Sequence, residues 1–513
     1  MGISWFDRVR KFKSPLHVVA AFLLRSRDTK DRHCEELKRQ VEELRLQQQS
    51  HCKTYLRIAR ERDELKQQVC RLESEKEELA NRGIVLPPDP PVETHGYGPR
   101  MVSLSANLAK RLGFRGAEFA LQTVFEWLEV SQKVPCPTSI RLWLQRLGVA
   151  AVTAPIKKSN DLIWLADHSN QIGTEKILVV LGVPASQLPA PGETLKHEDV
   201  RVLMVKPGTS WKKEDMAAAY TELEQRLGTP RAVIADGAAE LHDGAECLKT
   251  RRADMIVLRD FKHYAANLFK AMLGKCERFA EFNKLVGQTR CAIQQTELAH
   301  LVPPSIRQKS RFMNLKAVLE WADCMLWLLE HPKAESCGMF TAERLEKKLG
   351  WLKSFCNEIA LWNEYQQVIS RGLALINTQG LVSGIADRLR TTITADLKFD
   401  TSRDLAEQLV QFVRDAEAKL KPGERLWLST EILESTFSLY KQLERQQSKG
   451  GFTSLIAAFG GLLNKATPET VQEAFSRVAV KDVTLWVKEN LGQTLNSKKR
   501  TTYNEFRKNG ATA

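Results

Sequence analysis

Five short apolar runs between residues 161 and 263 form the clearest hydrophobic pattern in the chain. Each is rich in β-branched residues, so the pattern predicts β-strands rather than helices. Asp167 directly follows the first run, and Asp236 directly follows the fourth. The runs span residues 162–166, 177–181, 200–205, 232–235 and 255–258.

A helix-period segment over residues 211–227 separates the third run from the fourth, and Gly228 and Pro230 end it. Three strands, a helix and two further strands are typical of a ribonuclease-H-like sheet. We therefore predict that residues 158–264 form the first part of such a core.

Asp167 and Asp236 are candidate metal ligands. Two carboxylates at the ends of buried strands are costly to place together unless a cation neutralises them. The alternative is that each aspartate only forms the turn after its strand. A third carboxylate later in the chain would favour the metal site.

After His263 the apolar positions follow a helical period, so we predict a helical insertion over residues 265–426. Four of its tryptophans are interpreted as core residues, namely Trp321, Trp327, Trp351 and Trp362. The predicted helices span residues 265–273, 315–329, 345–355, 361–376 and 405–420.

The third carboxylate lies on a further predicted helix, residues 430–443, within a segment 427–449 that returns to the core. Glu434 and Lys441 are seven residues apart, so they share a helix face. The alternative is an ordinary surface pair. The predicted fold class is thus mainly α with an α/β core, in which a large helical insertion interrupts a ribonuclease-H-like mixed sheet.

Residues 1–85 are predicted to form a lead helix and a coiled coil. A seven-residue repeat runs from Leu37 to Leu79, mostly with Leu at one core position and mixed residues at the other, which favours a two-stranded dimer. The alternative is a charged helix folded back on its own chain. Residues 86–100 contain five prolines and form a predicted linker.

Residues 101–150 are predicted to form a helix-turn-helix domain of three short helices, the last over residues 139–147. On that helix Trp143 and Leu147 would face inward. Three other side chains would contact DNA phosphates or base edges, namely Arg141, Gln145 and Arg146. Residues 450–513 are predicted to be small helices, one beginning at Thr467 and Pro468, followed by a basic tail.

The formal net charge of +14 favours a polyanionic partner, and nucleic acid before a membrane. Ten scattered cysteines without a Cys-x-x-Cys pair indicate neither a zinc site nor a disulfide framework, which fits a reducing compartment. The longest early apolar run, residues 15–24, is too short to span a membrane.

Four motifs in this order resemble DDE-type transposases of bacterial insertion sequences. They are Ala166-Asp167-His168-Ser169 with the hairpin that follows, Ala235-Asp236-Gly237, Asp260-Phe261-Lys262-His263, and Glu434 with Lys441 after six intervening residues. The Tyr and Arg of the family's last signature would fall at Trp427 and Thr430, so only its second half matches.

The resemblance implies that Asp167, Asp236 and Glu434 are the catalytic residues and hold two Mg²⁺ or Mn²⁺ ions, which activate the nucleophile and stabilise the leaving oxygen. Lys441 would bind a phosphate at the transposon end. His263 would position substrate or the metal site, with Asp260 behind it, although His263 is equally well explained as a core histidine.

The implied function is metal-dependent cleavage and strand transfer of double-stranded DNA at terminal inverted repeats, by a homodimer in the bacterial cytoplasm, associated with the nucleoid. Three alternatives stay open. They are a non-catalytic DNA-binding regulator derived from a transposase, a coiled-coil scaffold with an inert α/β domain, and a ribonuclease-H-like nuclease without strand transfer.

Overall fold

A computed structural model of the chain describes most residues from 86 onward and a few before them. Contacts divide the chain into two units, Met1–Pro88 and Asp89–Ala513. The described residues between 18 and 71 are helical, but most of the heptad core lies outside the described residues, so the coiled coil and its dimer stay predictions. The described ranges are scattered positions between 18 and 42, 62, 64–71, 86–92, 96–172, 175–208, 211–250, 252, 254–305, 315–331, 341–446, 453–491 and 495–510.

The five predicted strands are confirmed. The first is longer than predicted, because it continues beyond Asp167 as one arm of a hairpin in which Asp167 pairs with Val179. The strands are β1 (Leu162–Ile172), β2 (Glu175–Pro184), β3 (Arg201–Gly208), β4 (Ala232–Ala235) and β5 (Ile256–Arg259).

The strand order is β3-β2-β1-β4-β5. The pairs β1–β2 and β2–β3 are antiparallel, whereas β4 runs parallel to both β1 and β5. Alternate residues of β1 enter two different cores, with Ile163 and Leu165 on one face and Trp164 on the other. The fold class is therefore the predicted one, an α-rich chain around a ribonuclease-H-like mixed sheet.

Helices surround this sheet and fill the predicted insertion. The sequence pattern missed four of them, those over residues 239–249, 277–293, 385–394 and 495–510, the last of which was predicted to be a basic tail. The helices are α1 (Pro99–Trp127), α2 (Pro137–Val152), α3 (Lys213–Leu227), α4 (Ala239–Lys249), α5 (Phe261–Gly274), α6 (Glu277–Ile293), α7 (Leu315–Glu330), α8 (Ala342–Leu349), α9 (Cys356–Gln379), α10 (Ile385–Thr394), α11 (Asp400–Glu417), α12 (Glu431–Arg445), α13 (Pro468–Arg477), α14 (Val480–Leu491) and α15 (Leu495–Gly510).

The chain returns from the insertion to the sheet through residues 424–430. Glu424 accepts two hydrogen bonds from the buried Arg231, just before β4. Phe261 then donates its backbone N–H to the carbonyl of Leu428 at 3.1 Å. These contacts bring α12 back to the core, where it packs against β1.

The tryptophans of the insertion differ in burial. Trp321 and Trp362 are buried as predicted, and Trp351 is half-buried. The prediction is wrong for Trp327, whose side chain is 47% exposed and stacks on His331. Among the residues described, no helix combines the length and the apolar character needed to cross a membrane.

Helix α2 is a packed core element. It was predicted to end at Gly148, but it continues to Val152 and packs against the 3₁₀ helix Ser454–Leu462. A Cβ atom at Gly148 would lie 2.0 Å from the Ala457 carbonyl oxygen. Gly148 is therefore a close-approach residue within the helix and does not end it.

Gly148→Ala is expected to destabilise the protein by at least about 1–3 kcal/mol, because backbone atoms on the opposite side cannot move away. Gly287→Ala is the matched control, since Gly287 lies in α6 with no atom within 4 Å of its added methyl group. That change is expected to stabilise by about 0.5–1 kcal/mol. Chemical denaturation measures both, and a neutral Gly148→Ala would contradict the packing.

Candidate active site

The sheet places Asp167 and Asp236 side by side. Ala166 of β1 is paired in parallel with Ala235 of β4, so the residues that follow them lie at neighbouring positions. Asp167 is buried, with 7% of its surface exposed, whereas Asp236 is half-buried and accepts a 2.9 Å hydrogen bond from the N–H of Ala238. The predicted pair of carboxylates therefore exists.

Burial and the nearby Asp236 carboxylate raise the pKa of Asp167 well above its usual value. Both effects disfavour the ionised form, since a buried charge loses hydration and a like charge repels it. The charge of His263 opposes the rise. The two aspartates thus form a site whose negative charge is poorly compensated by the surrounding protein.

His263 lies beside the two aspartates and is held by Asp260. Its Nδ1 atom lies 3.0 Å from Asp260 Oδ1. Burial alone would lower the pKa of His263, but the Asp260 hydrogen bond and the charges of Asp260, Asp167 and Asp236 raise it to about 9. His263 is therefore a cation at neutral pH, which separates it from an ordinary neutral core histidine.

Asp260 is almost fully buried and connects two helices. Its Oδ1 accepts the backbone N–H of His263 in the first turn of α5 at 2.6 Å. Its Oδ2 accepts the backbone N–H of Thr430 at 2.5 Å and the Thr430 hydroxyl at 3.0 Å, directly before α12. Burial would raise the pKa of Asp260, but its contacts with His263 and Thr430 lower it. This carboxylate therefore fixes the start of α12 relative to His263.

Glu434 projects from the first turn of α12 and forms an ion pair with Lys262. The Lys262 Nζ atom lies 2.7 Å from Glu434 Oε2 and 3.1 Å from Glu431 Oε1. Burial opposes the charge of Lys262, but these two glutamates raise its pKa overall. Within the described ranges, no three His, Cys, Asp or Glu side chains are arranged to hold a metal ion. The two aspartates are thus together, whereas Glu434 is held by Lys262.

Lys262 is the site residue that sequence reasoning missed. It lies inside the Asp260-Phe261-Lys262-His263 motif, so its place in that motif was the available signal. Lys441, two turns beyond Glu434, is exposed and has no hydrogen-bond or ion-pair partner among the residues described. It is free to meet a phosphate, and its predicted role stays a prediction.

His168 directly follows Asp167, and its environment is unusual. Its side chain is 5% exposed, and neither ring nitrogen has a hydrogen-bond partner in the described part of the chain. The ring lies 5.5 Å from that of Trp211, and Nδ1 lies 3.9 Å from Glu240. Burial and the charge of Lys176 lower the pKa of His168 to about 4, so the ring is neutral.

The prediction that Gln145 and Arg146 contact DNA is contradicted by their burial. They are 2% and 3% exposed. Gln145 donates to the Ser454 carbonyl at 2.6 Å, and Arg146 donates to the carbonyls of Val478 and Phe475 at 2.7 and 3.0 Å. These side chains fasten α2 to the C-terminal residues. Their polar groups therefore serve these internal hydrogen bonds.

Arg141 is the remaining residue of the predicted DNA-contacting set. It is half-buried near the start of α2, and its Nε atom is buried without a hydrogen-bond partner. It lines a small cavity with Arg115 and the kink at Gly113, where φ is +76°. This kink divides α1 into two shorter helices. Arg141 keeps its predicted contact with DNA as a proposal.

Arg146→Met is expected to lower the free energy of unfolding by about 2–4 kcal/mol, because charged hydrogen bonds to buried carbonyls are lost. The salt dependence of DNA binding should stay unchanged, since Arg146 is inaccessible to phosphate. Denaturation and fluorescence-anisotropy titrations over a salt series measure the two effects. A shallower salt dependence in a folded variant would restore Arg146 to the DNA-contacting set.

The comparison with solved structures gives a weak likeness. No protein-family model matches the sequence, and the search of curated proteins returned no match. Among solved structures, a Drosophila P element transposase strand transfer complex matches 72% of this chain and 92% of its own, with 10% identity and a TM-score of 0.38. A likeness this low bears on neither the site nor its chemistry.

Proposed function

We propose that this chain is a DDE-type transposase that cleaves DNA and joins the cut strands to a target, with Asp167, Asp236 and Glu434 as its catalytic residues. The observation that carries the proposal is the pairing of Asp167 with Asp236 across two parallel strands of a ribonuclease-H-like sheet. Beside them stands α12, tied by Asp260 to the helix that carries His263. Within this class, we propose a transposase of the bacterial insertion-sequence type.

The aspartate pair fits a hard divalent cation such as Mg²⁺ or Mn²⁺. Carboxylate oxygens are the ligands that such ions prefer. The raised pKa of Asp167 indicates that its ionised form lacks sufficient positive charge nearby, which a bound cation would supply. When bound, two such ions supply an activated nucleophile and a stabilised leaving oxygen.

Glu434 completes the ligand set in this proposal by leaving Lys262. The pair is partly exposed, with 42% of the Glu434 side chain and 20% of the Lys262 side chain accessible. An ion pair of this exposure contributes little, roughly 0–1 kcal/mol, so breaking it is inexpensive. The released Lys262 ammonium would then bind a phosphate oxygen of the DNA strand.

His263 and Lys441 act on the substrate in this proposal. The protonated His263 ring, fixed by Asp260, would hold a phosphate next to the aspartates and offset part of their charge. Lys441 would bind a neighbouring phosphate on the same strand. The net charge of +14 supports DNA as the partner, and a dimer through residues 28–85 would supply the two sites that cutting two ends requires.

The proposal is tested by incubating the full chain with a linear duplex that carries the DNA flanking its gene, with Mn²⁺ or with a chelator. Metal-dependent nicks that leave 3′-hydroxyl ends, followed by joining of those ends to a second duplex, are expected. Nicking without joining would support a nuclease without strand transfer instead of a transposase. Absence of any metal-dependent strand break would contradict the proposal.

A further inference from the structure

A basic cavity lies apart from the aspartate pair, where α1 and α12 meet residues 462–465. Its volume is about 310 Å³, near the lower end of the range for ligand pockets, about 300–1000 Å³. Lys110 and Arg111 line it from α1, and Leu439 lines it from α12. His197 closes it from a short 3₁₀ helix and Lys465 from a loop, so four segments of the chain build one cavity.

The charges in this cavity are all of one sign. Lys110, Arg111 and Lys465 are cations, and no carboxylate is among the lining residues. In the part of the chain that the structure describes, neither Arg111 nor Lys465 has an ion-pair partner. Three cations around one space repel each other, so the cavity favours an anion.

The buried polar groups of the cavity point to the same ligand. The Nε2 atom of His197 is buried and has no hydrogen-bond partner among the described residues. Among the described residues the Lys110 ammonium donates only to the carbonyl of Asn464, and burial lowers its pKa to about 8. A buried polar atom without a partner costs free energy, which a ligand with several acceptor oxygens would recover.

We propose that this cavity binds a phosphate group, either from a DNA backbone or from a free phosphate-bearing molecule. Donors on three separate segments need an anion with oxygens on several sides, which favours the tetrahedral phosphate over a planar carboxylate. A metal ion is disfavoured by the cations. The inference goes beyond the proposed function, because it requires neither the aspartates nor a metal.

The experiment compares Arg111→Gln/Lys465→Gln with the wild type in the full chain. Both side chains are exposed, so the fold is expected to persist. The matched control is Lys284→Gln/Lys347→Gln, which removes two exposed lysines of the insertion and changes the net charge equally. One arm measures Tm in inorganic phosphate and in chloride at equal ionic strength. The other measures duplex DNA binding over a salt series.

A free phosphate ligand predicts that phosphate raises the Tm of the wild type and the control, and that the cavity variant loses most of this rise. A DNA backbone predicts instead that the slope of log Kd against log salt concentration becomes shallower by about 1 in the cavity variant alone. Either result supports the cavity. Identical behaviour of the cavity variant and the control in both arms would overturn it.

Asp236→Asn separates this inference from the proposed function. Asp236 does not line the cavity, so both binding results should persist in that variant. A chain that binds phosphate here but never breaks DNA would keep the cavity and lose the transposase proposal. A chain that breaks DNA but shows neither binding result would keep the transposase proposal and lose the phosphate-binding cavity.

Discussion

Asp236→Asn is expected to reduce metal-dependent DNA strand cleavage by at least about 10³-fold while the protein stays folded. Metal ions at such sites supply several kcal/mol of transition-state stabilisation, and each 1.4 kcal/mol corresponds to tenfold in rate. The amide cannot supply the second negative charge that holds them. A gel assay of nicked duplex with Mn²⁺ measures the loss.

The same variant is expected to be more stable than the wild type without metal. The Asp236 charge raises the pKa of Asp167, so Asp167 contributes a destabilisation that is absent at low pH and present once it ionises. Removing that charge reduces the penalty at neutral pH. Asp243→Asn, an exposed aspartate on α4, is the control and should change neither property. Unchanged cleavage by Asp236→Asn would remove the site assignment.

Asp260→Asn is expected to lower the free energy of unfolding by about 3–5 kcal/mol, the usual cost of breaking a buried charge pair. The carboxylate accepts four hydrogen bonds, two from His263 and two from Thr430, and an amide places an NH₂ group against two of those donors. Asp254→Asn, which breaks a partly exposed pair, should cost about 1 kcal/mol or less. Chemical denaturation compares the two.

The pH dependence of this stability has a definite sign. The folded-state pKa of His263 is raised to about 9, so its stabilising contribution is complete below about pH 6.5 and is lost as the pH rises through 9. In Asp260→Asn the largest raising contribution is lost and the pKa of His263 falls, so the loss of stability should move to lower pH. Denaturation midpoints from pH 6 to 10 measure it, and an unchanged slope would mean that Asp260 does not set the charge of His263.

The sheet could be predicted because its residues carry the information locally. The five runs are short, β-branched and bounded by turn residues, and two of them end next to the aspartates that the parallel pairing of β1 and β4 then brings together. The start of α13 was equally readable, since Thr467 caps it and Pro468 occupies its first position. Helix α4 was missed because Gly244 and several charged residues interrupt its apolar stripe.

The interior surroundings of the candidate residues could not be read from the sequence. Arg146 appears as an exposed helical arginine until residues more than 300 positions later, Phe475 and Val478, cover it. Lys262 meets Glu434 across 172 positions. Such partners depend on how the helical insertion returns the chain to the sheet, and neither periodicity nor motif spacing encodes that path.

Calorimetric titration of Mn²⁺ into the full chain at pH 8 tests most directly whether Asp167, Asp236 and Glu434 bind metal ions together. We predict that two ions bind per wild-type chain and that Asp236→Asn loses this binding. Glu434→Gln is expected to bind Mn²⁺ at least about tenfold more weakly, because even residues that only orient metal ligands contribute about 10–100-fold to metal affinity. Wild-type stoichiometry and affinity in both variants would show that these carboxylates do not hold the metal, and would contradict the proposed function.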